Sequence, residues 1–405
     1  MKNLFCLILI TAMPFLNSCS SNDNHSEQPF GVTPANPVPV QKSNEMKVYA
    51  HYMPWFETKE TSTDGKWGWH WTMANKNPDI ITDGKRQIAS WYYPSIGPYA
   101  SSDPDVIEYH LLLMKYSGID GVLVDWYGIS NYNDLPAINK NAEALFKAIE
   151  KTGLEFAFVY EDRFLQGDRE AQIYQAQQDI RHLQNNYFNK DYYIKINGKP
   201  LLLIFGPITI KTEADWTRVF SIINNKPEFL TLYEHSNLAG NNANGEYMWV
   251  FQNPAPDVQY HKKDDFSIFF GGAYPGFRDY YEQGGGGAHL FDIDYENGNL
   301  YKNLLNMAKQ ESMNFLQLVT WNDFGEGTMI EPTLEFGYEF LKSTQTFTGV
   351  NYTESQLMLI RKLFDCRKEF KNDKEINKKL DQIFYYMVSL QIDKAAELIQ
   401  TIENN

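Results

Sequence analysis

Eight short runs rich in β-branched and aromatic residues recur along the chain, and that recurrence constrains its fold more than any other feature. They lie at 47–55, 121–126, 155–161, 200–205, 229–234, 247–251, 267–270 and 315–321. Helix-like stretches at 105–116, 137–151, 170–185, 213–223 and 300–310 separate several of them. Strands alternating with helices form parallel βαβ units, because a parallel partner is reached only through a crossover. Eight such strands predict an α/β fold, a single (β/α)8 TIM barrel over 46–348, rather than an open sheet. Several runs carry too few polar residues to face water on either side, as barrel staves must. A turn at Asn197-Gly198 within 192–204 predicts a hairpin added to the regular pattern. Stretches 58–78 and 277–292 read as long strand-to-helix loops, the part of a barrel that binds ligands. Beyond Gly349, helical patterns at 354–364 and 379–398 make 349–405 a C-terminal helical extension.

The start of the chain stands apart from this pattern. Lys2 precedes an apolar run at 4–16 that ends in Leu16-Asn17-Ser18-Cys19. The run falls short of the ~20 apolar residues a membrane helix needs, so 1–18 reads as a lipoprotein-type signal peptide. Cys19 is then the lipid-attachment residue at the mature N terminus. Residues 19–45 are rich in Ser, Asn, Pro and Gln, a composition that builds no core, and are expected to form a flexible tether. The expectation is an exported outer-membrane lipoprotein, at the cell surface or on the periplasmic face, held to the membrane by its lipid alone. Of three cysteines, Cys6 leaves with the signal and Cys19 carries the lipid. Cys366 is left alone, so stability must come from a large core rather than a disulfide.

Charge and motifs exclude several functions. With 36 Lys and Arg against 51 Asp and Glu, the formal net charge of -15 argues against a nucleic-acid partner. Gly284-Gly285-Gly286-Gly287 lacks the Lys-Ser/Thr of a phosphate loop and reads as a mobile surface loop. The 8 histidines show no HExxH or other ligand spacing, so no metal and no cofactor are expected. No Gly-x-Ser-x-Gly nucleophile elbow occurs.

The informative residues stand at the strand ends. The first run finishes in His51-Tyr52-Met53-Pro54-Trp55, the second in Asp125-Trp126-Tyr127 and the third in Tyr160-Glu161-Asp162. The fifth ends in Tyr233-Glu234-His235 and the last in Trp321-Asn322-Asp323-Phe324-Gly325-Glu326. A barrel gathers such ends around one opening. Aromatic rings beside acids suit sugars, which offer apolar ring faces and many hydroxyls, so the partner is expected to be a polysaccharide or oligosaccharide. Asp323 and Glu326 form the best catalytic pair, since glycosidic cleavage commonly takes one carboxylic acid and one carboxylate. The competing assignment for Asp323 is a structural cap. His51, Tyr52, Trp55, Asp125, Trp126, Tyr160, Glu161, Glu234, Trp249, Tyr274, Trp321 and Asn322 are the expected substrate-binding residues.

At these positions the chain resembles a family. Thr320-Trp321-Asn322-Asp323-Phe324-Gly325-Glu326-Gly327-Thr328 is similar to the end-of-barrel motif of glycoside hydrolase families 71 and 99. His51-Tyr52-Met53-Pro54-Trp55, the stretch Gly118-Ile119-Asp120-Gly121-Val122-Leu123-Val124-Asp125-Trp126 and Tyr274-Pro275-Gly276-Phe277 follow in the family order, over about 46–347. The resemblance implies a metal-free (β/α)8 enzyme that cleaves internal α-linked bonds, α-mannoside in family 99 and α-1,3-glucan in family 71. It also implies that Glu326 is the acid and base. The position of Asp323, Glu in family 99, would assist attack by the sugar's own 2-hydroxyl. Asp323 follows family 71 and Glu326-Gly327-Thr328 family 99, which leaves retaining and inverting routes open. A glycan-binding lipoprotein without catalysis is the alternative on the same barrel. A metal-dependent hydrolase is a distant third.

Overall fold

The computed structural model describes residues 30–253 and 255–404. The signal at 1–18, Cys19 and the first part of the expected tether lie outside the described residues. Eight parallel strands close on themselves: β1 (Lys47–Tyr52), β2 (Gly121–Trp126), β3 (Glu155–Tyr160), β4 (Lys199–Ile204), β5 (Glu228–Leu232), β6 (Gly245–Tyr247), β7 (Ile268–Ala273) and β8 (Phe315–Leu318). Each strand pairs with its successor. β8 returns to β1 with Phe315 opposite Lys47 and Leu318 opposite Ala50. All eight expected runs are staves of this barrel. Lys195–Ile196 pairs antiparallel with the start of β4 through Asn197 and Gly198, both at positive φ (52° and 76°), as the Asn-Gly turn predicted.

Helices α1 (Pro104–Tyr116), α2 (Leu135–Thr152), α3 (Arg169–Asn186), α4 (Glu213–Phe220) and α5 (Asn299–Gln310) form the outer layer. Local sequence sets their bounds. Asp103 accepts the Asp105 N–H ahead of α1, where Pro104 sits in the first turn. Thr212 caps α4 through the Asp215 N–H. Gly153 ends α2 at φ 73°, a conformation that favours glycine. Around β6 the crossovers shrink to single turns at Ser236–Ala239 and Pro256–Tyr260.

After β8 come α6 (Glu339–Thr348), α7 (Glu354–Glu369), α8 (Lys374–Val388) and α9 (Ile392–Glu403). The single helix expected over 379–398 is thus two, broken where Leu390 takes φ 61° and turns the chain. Leu357, Ile360, Leu363, Leu380, Ile383 and Met387 are buried in one cluster with the barrel's own side chains. The extension therefore shares the barrel core. Arg367 ties α7 to Glu108 of α1 at 3.0 Å.

The tether expectation needs correcting from residue 30 onward. Thr33 N–H donates to the Gln382 side chain (2.6 Å) and Val38 N–H to the Val388 carbonyl (2.9 Å). Lys115 Nζ donates to the Val38 carbonyl at 2.7 Å, and Asn44 N–H to the Thr348 carbonyl at 3.1 Å. A Pro-rich segment has few backbone partners of its own, and lying along α8 and the barrel base supplies them. Residues 30–45 are a docked strap. Among the described residues no helix is long and apolar enough to cross a membrane.

Candidate active site

The C-terminal ends of the strands surround a cavity of about 660 Å³. His51 and Met53 reach it from the end of β1, Glu161 and Arg163 from beyond β3, and Phe205 from beyond β4. Trp249 follows β6, Tyr281 follows β7, and Asp323, Gly325 and Glu326 follow β8. The β1–α1 loop adds Glu57, Trp55, Trp69 and His70, and the β2–α2 loop adds Tyr127 and Asp134.

The loop after β8 is fixed by its own hydrogen bonds. Trp321 N–H donates to the His51 carbonyl (2.6 Å) and Ile330 N–H to the Thr320 carbonyl (3.0 Å), which closes the loop at its base. Asp323 N–H donates to Thr320 Oγ1 (2.8 Å), while Asp323 Oδ1 accepts the Glu326 N–H (2.9 Å). Gly327 takes φ 71°, and a Cβ there would lie 2.6 Å from the Tyr295 hydroxyl, so only glycine fits this turn. These bonds aim Glu326 into the cavity, where the Tyr281 hydroxyl donates to Glu326 Oε1 at 2.9 Å.

Electrostatics separates the acids. Burial, then the charge of Asp323, pushes the Glu326 carboxyl up to about 8. Burial pushes Asp323 up to about 6, against backbone N–H groups that favour its anion. At neutral pH Glu326 holds its proton and Asp323 is ionised, the division that acid–base cleavage requires. Glu161 forms a second group: it is ion-paired to Arg163 Nε at the cavity wall. Burial and the Glu161 charge hold Asp125 well above the usual carboxylate range, so Asp125 carries the proton between them. Burial drops His51 to about 4 and His70 to about 3, which keeps both imidazoles neutral.

The cavity gathers Glu326, Asp323, His51, Trp55, Glu161 and Trp249 from the expected set, with Asp125 against Glu161. Trp55 stacks on His70 with centroids 3.9 Å apart and planes 4° apart, and Trp249 meets His51 edge-on at 4.8 Å. The remaining expected residues do not line it. Tyr52 is buried with its hydroxyl 3.1 Å from His110 Nδ1 on α1. Trp126 donates to Asn139 Oδ1 on α2 (3.0 Å) and Tyr160 to Asp179 Oδ2 on α3 (2.8 Å). Successive side chains along a strand point to opposite faces. His51/Tyr52, Asp125/Trp126 and Tyr160/Glu161 therefore each send one member to the barrel interior and one to the helix layer. Tyr274 and Trp321 are buried, and Trp321 packs on His110 at 5.4 Å. Asn322 is structural: it accepts the Met53 N–H (2.8 Å) and donates to the Met53 carbonyl (3.0 Å). Glu234, at φ 64°, is exposed and pairs with Lys262 at 3.4 Å.

Several cavity residues were not singled out from sequence. Arg163 stands two residues after Glu161, and Tyr281 lies in the 277–292 loop, whose position after a strand was the available signal. Trp69 and His70 sit in the aromatic-rich 58–78 loop, where Trp67, Trp69 and Trp71 cluster. The glycine run also belongs to this rim. Ala74 N–H donates to the Gly284 carbonyl (2.9 Å), and a Cβ on Gly284 would meet Met73 Sδ at 2.3 Å. It stays at the surface but packs on the turn that carries Trp69 and His70. No group of three or more His, Cys, Asp or Glu is placed to hold a metal ion among the described residues.

Comparisons with known proteins agree with this geometry. Residues 43–227 match the model of glycosyl hydrolase family 99. A glycoprotein endo-alpha-1,2-mannosidase of Xenopus laevis is 23% identical over 302 residues, 65% of this chain and 64% of that protein. A glycoprotein endo-alpha-1,2-mannosidase-like protein of Danio rerio is 32% identical over 93 residues, 22% of this chain and 21% of that protein. The chain thus spans less than two thirds of the length of either relative. The solved GH99 endo-alpha-mannosidase of Bacteroides thetaiotaomicron shares the fold, with a TM-score of 0.58 and 20% identity over 78% of this chain and 99% of that one. With the barrel, the motif after β8 and the family match in agreement, the chain is a glycosyl hydrolase family 99-like protein.

Proposed function

We propose that this chain is an endo-acting glycoside hydrolase that cleaves an α-linked mannan. The observation that carries the proposal is Glu326, a carboxyl pushed up to about 8 in one cavity with the ionised Asp323. In that state Glu326 donates its proton to the leaving glycosidic oxygen, while a carboxylate opposite it receives the proton of the attacking group. Neutral His51 and the stacked Trp55 and His70 offer hydrogen-bonding and flat apolar surface to sugar rings. The mannoside class is supported by the names of the relatives. At about 660 Å³ the cavity has room for more than one sugar ring, which suits attack within a chain. A binding-only protein is not favoured, because both motif carboxyls are present and face the cavity.

The test is product analysis on α-mannan, α-glucan and mixed glycans, with the released anomer followed by NMR. Oligosaccharides from α-mannan support the proposal, and a panel left intact refutes it. We place the activity on an exported outer-membrane lipoprotein anchored through Cys19, a reading supported by the sequence of 1–19. Mass spectrometry of the mature N terminus tests it, an unmodified Cys19 being the contrary result.

A further inference from the structure

We propose that Trp91 and Tyr280 form a glycan-stacking platform on the rim, outside the cavity, that holds the part of an α-mannan chain leaving the cavity beside Glu326. This rests on the hydrolase reading above. An enzyme that cuts within a chain has sugar rings on both sides of the cut, and a long chain continues from a cavity of about 660 Å³ onto the protein surface. The rim beside the acid is the start of the β7–α5 loop. Arg278 N–H donates to the Glu326 carbonyl (2.9 Å) and Tyr280 N–H to the Gly325 carbonyl (2.8 Å), so this loop is bonded to the turn that carries the acid. From there Tyr281 lines the cavity, while Tyr280 meets Trp91 edge-on with ring centres 4.9 Å apart.

A lone exposed ring needs no explanation. Trp91, from the β1–α1 loop, is exposed and also held in place. It is 36% exposed, its Nε1–H donates to the Asp279 carbonyl (2.9 Å), and the Arg278 guanidinium lies 4.1 Å from its ring centre. The loop beneath it is fixed in turn. Asp279 is buried, accepts the Tyr281 N–H (3.1 Å) and the Leu290 N–H (2.9 Å), and pairs with His289 at 2.9 Å. The ring therefore sits ready, and binding costs little ordering of the protein.

Sugar rings call for flat apolar surface flanked by hydrogen-bonding groups. Trp91 and Tyr280 supply the first. Arg278 supplies donors for the second, as does Lys76, whose Nζ lies 5.4 Å from the Tyr280 ring centre. On the other side of the same turn, Gly286 N–H donates to the Tyr281 carbonyl (2.8 Å). A Cβ on Gly286 would lie 3.3 Å from Cζ2 of Trp69, a cavity-lining ring that is 46% exposed. Aromatic surface thus continues from the cavity mouth, past the glycine turn, to Trp91.

The experiment measures kcat and KM for wild type, Trp91→Ala and Trp91→Phe on α-mannan oligosaccharides of increasing length and on the polymer, with thermal melts confirming that each variant folds. Trp91→Ala is expected to raise KM on the polymer about tenfold at unchanged kcat, by a factor that falls toward one as the oligosaccharide shortens. Trp91→Phe keeps a flat ring without the indole N–H and is expected to stay within about threefold of the wild type on the polymer. The platform is overturned if Trp91→Ala leaves the polymer KM unchanged, if it affects short and long substrates equally, or if Trp91→Phe loses as much as Trp91→Ala. Retention on immobilised α-mannan gives a reading that needs no cleavage. Trp91→Ala is expected to weaken it about tenfold, and unchanged retention overturns the platform. A wild type that cleaves no α-mannan sinks the hydrolase reading, and the retention comparison still decides whether Trp91 holds the glycan.

Discussion

Tyr281→Phe removes a hydroxyl that donates to the acid. In the wild type this hydroxyl lies 2.9 Å from Glu326 Oε1 and favours the ionised carboxylate. Its removal therefore raises the proton affinity of Glu326 above its present value of about 8. A hydrogen bond to a charged group is worth about 1.5–3 kcal/mol, and one pKa unit corresponds to about 1.4 kcal/mol. Glu326 is only half-buried, so the lower end applies and the shift is about one unit upward. The acid must be protonated to work, so the alkaline limb of kcat/KM moves up from about 8 by about one pH unit. The plateau falls at the same time, because a weaker acid gives up its proton less readily. The assay is kcat/KM between about pH 5 and 10 on a soluble α-mannan oligosaccharide, for wild type and variant. An alkaline limb that stays in place, or moves to lower pH, refutes the assignment of Glu326 as the titrating acid and of Tyr281 as its donor.

Three further outcomes are expected. Because the folded state holds the Glu326 carboxyl above its ordinary range, it binds that proton more tightly than the unfolded chain does, and stability falls as pH rises from the ordinary carboxylate range through about 8. Glu326→Gln removes this penalty, so its melting temperature should overtake the wild type's above that pH; an unchanged difference across pH would contradict the shift. Tyr160→Phe strips Asp179 of a buried 2.8 Å hydrogen bond and should cost about 1–3 kcal/mol in denaturant melts while leaving KM within about twofold. A large rise in KM without loss of stability would return Tyr160 to the cavity. Trp55→Ala removes the ring stacked on His70 and should raise KM about tenfold, the equivalent of about 1.4 kcal/mol of ring contact, with isothermal titration as the check.

The barrel was legible because each stave carries its own local signal and only the closure of β8 onto β1 is nonlocal. The hairpin at Asn197-Gly198 was legible for the same reason, its backbone demand being met by two adjacent residues. Glu326, Asp323, His51, Glu161, Trp55 and Trp249 line one cavity because a barrel brings strand ends together. Trp126, Tyr160 and Tyr52 were misplaced because proximity to a strand end does not decide which face a side chain takes. A one-residue step does, and the strands are buried on both faces. Tyr281, Trp69 and His70 depend on how long loops fold back over the opening. The docking of 30–45 depends on partners such as Gln382 and Val388, more than 300 residues away. Neither leaves a periodic trace in sequence.

The most direct test of the account is the release of oligosaccharides from an α-mannan by the wild type and by Glu326→Gln, measured side by side at neutral pH. The account predicts internal cleavage by the wild type and at least a 100-fold loss in the variant, with glycan binding retained. Equal product release from the two proteins would contradict it.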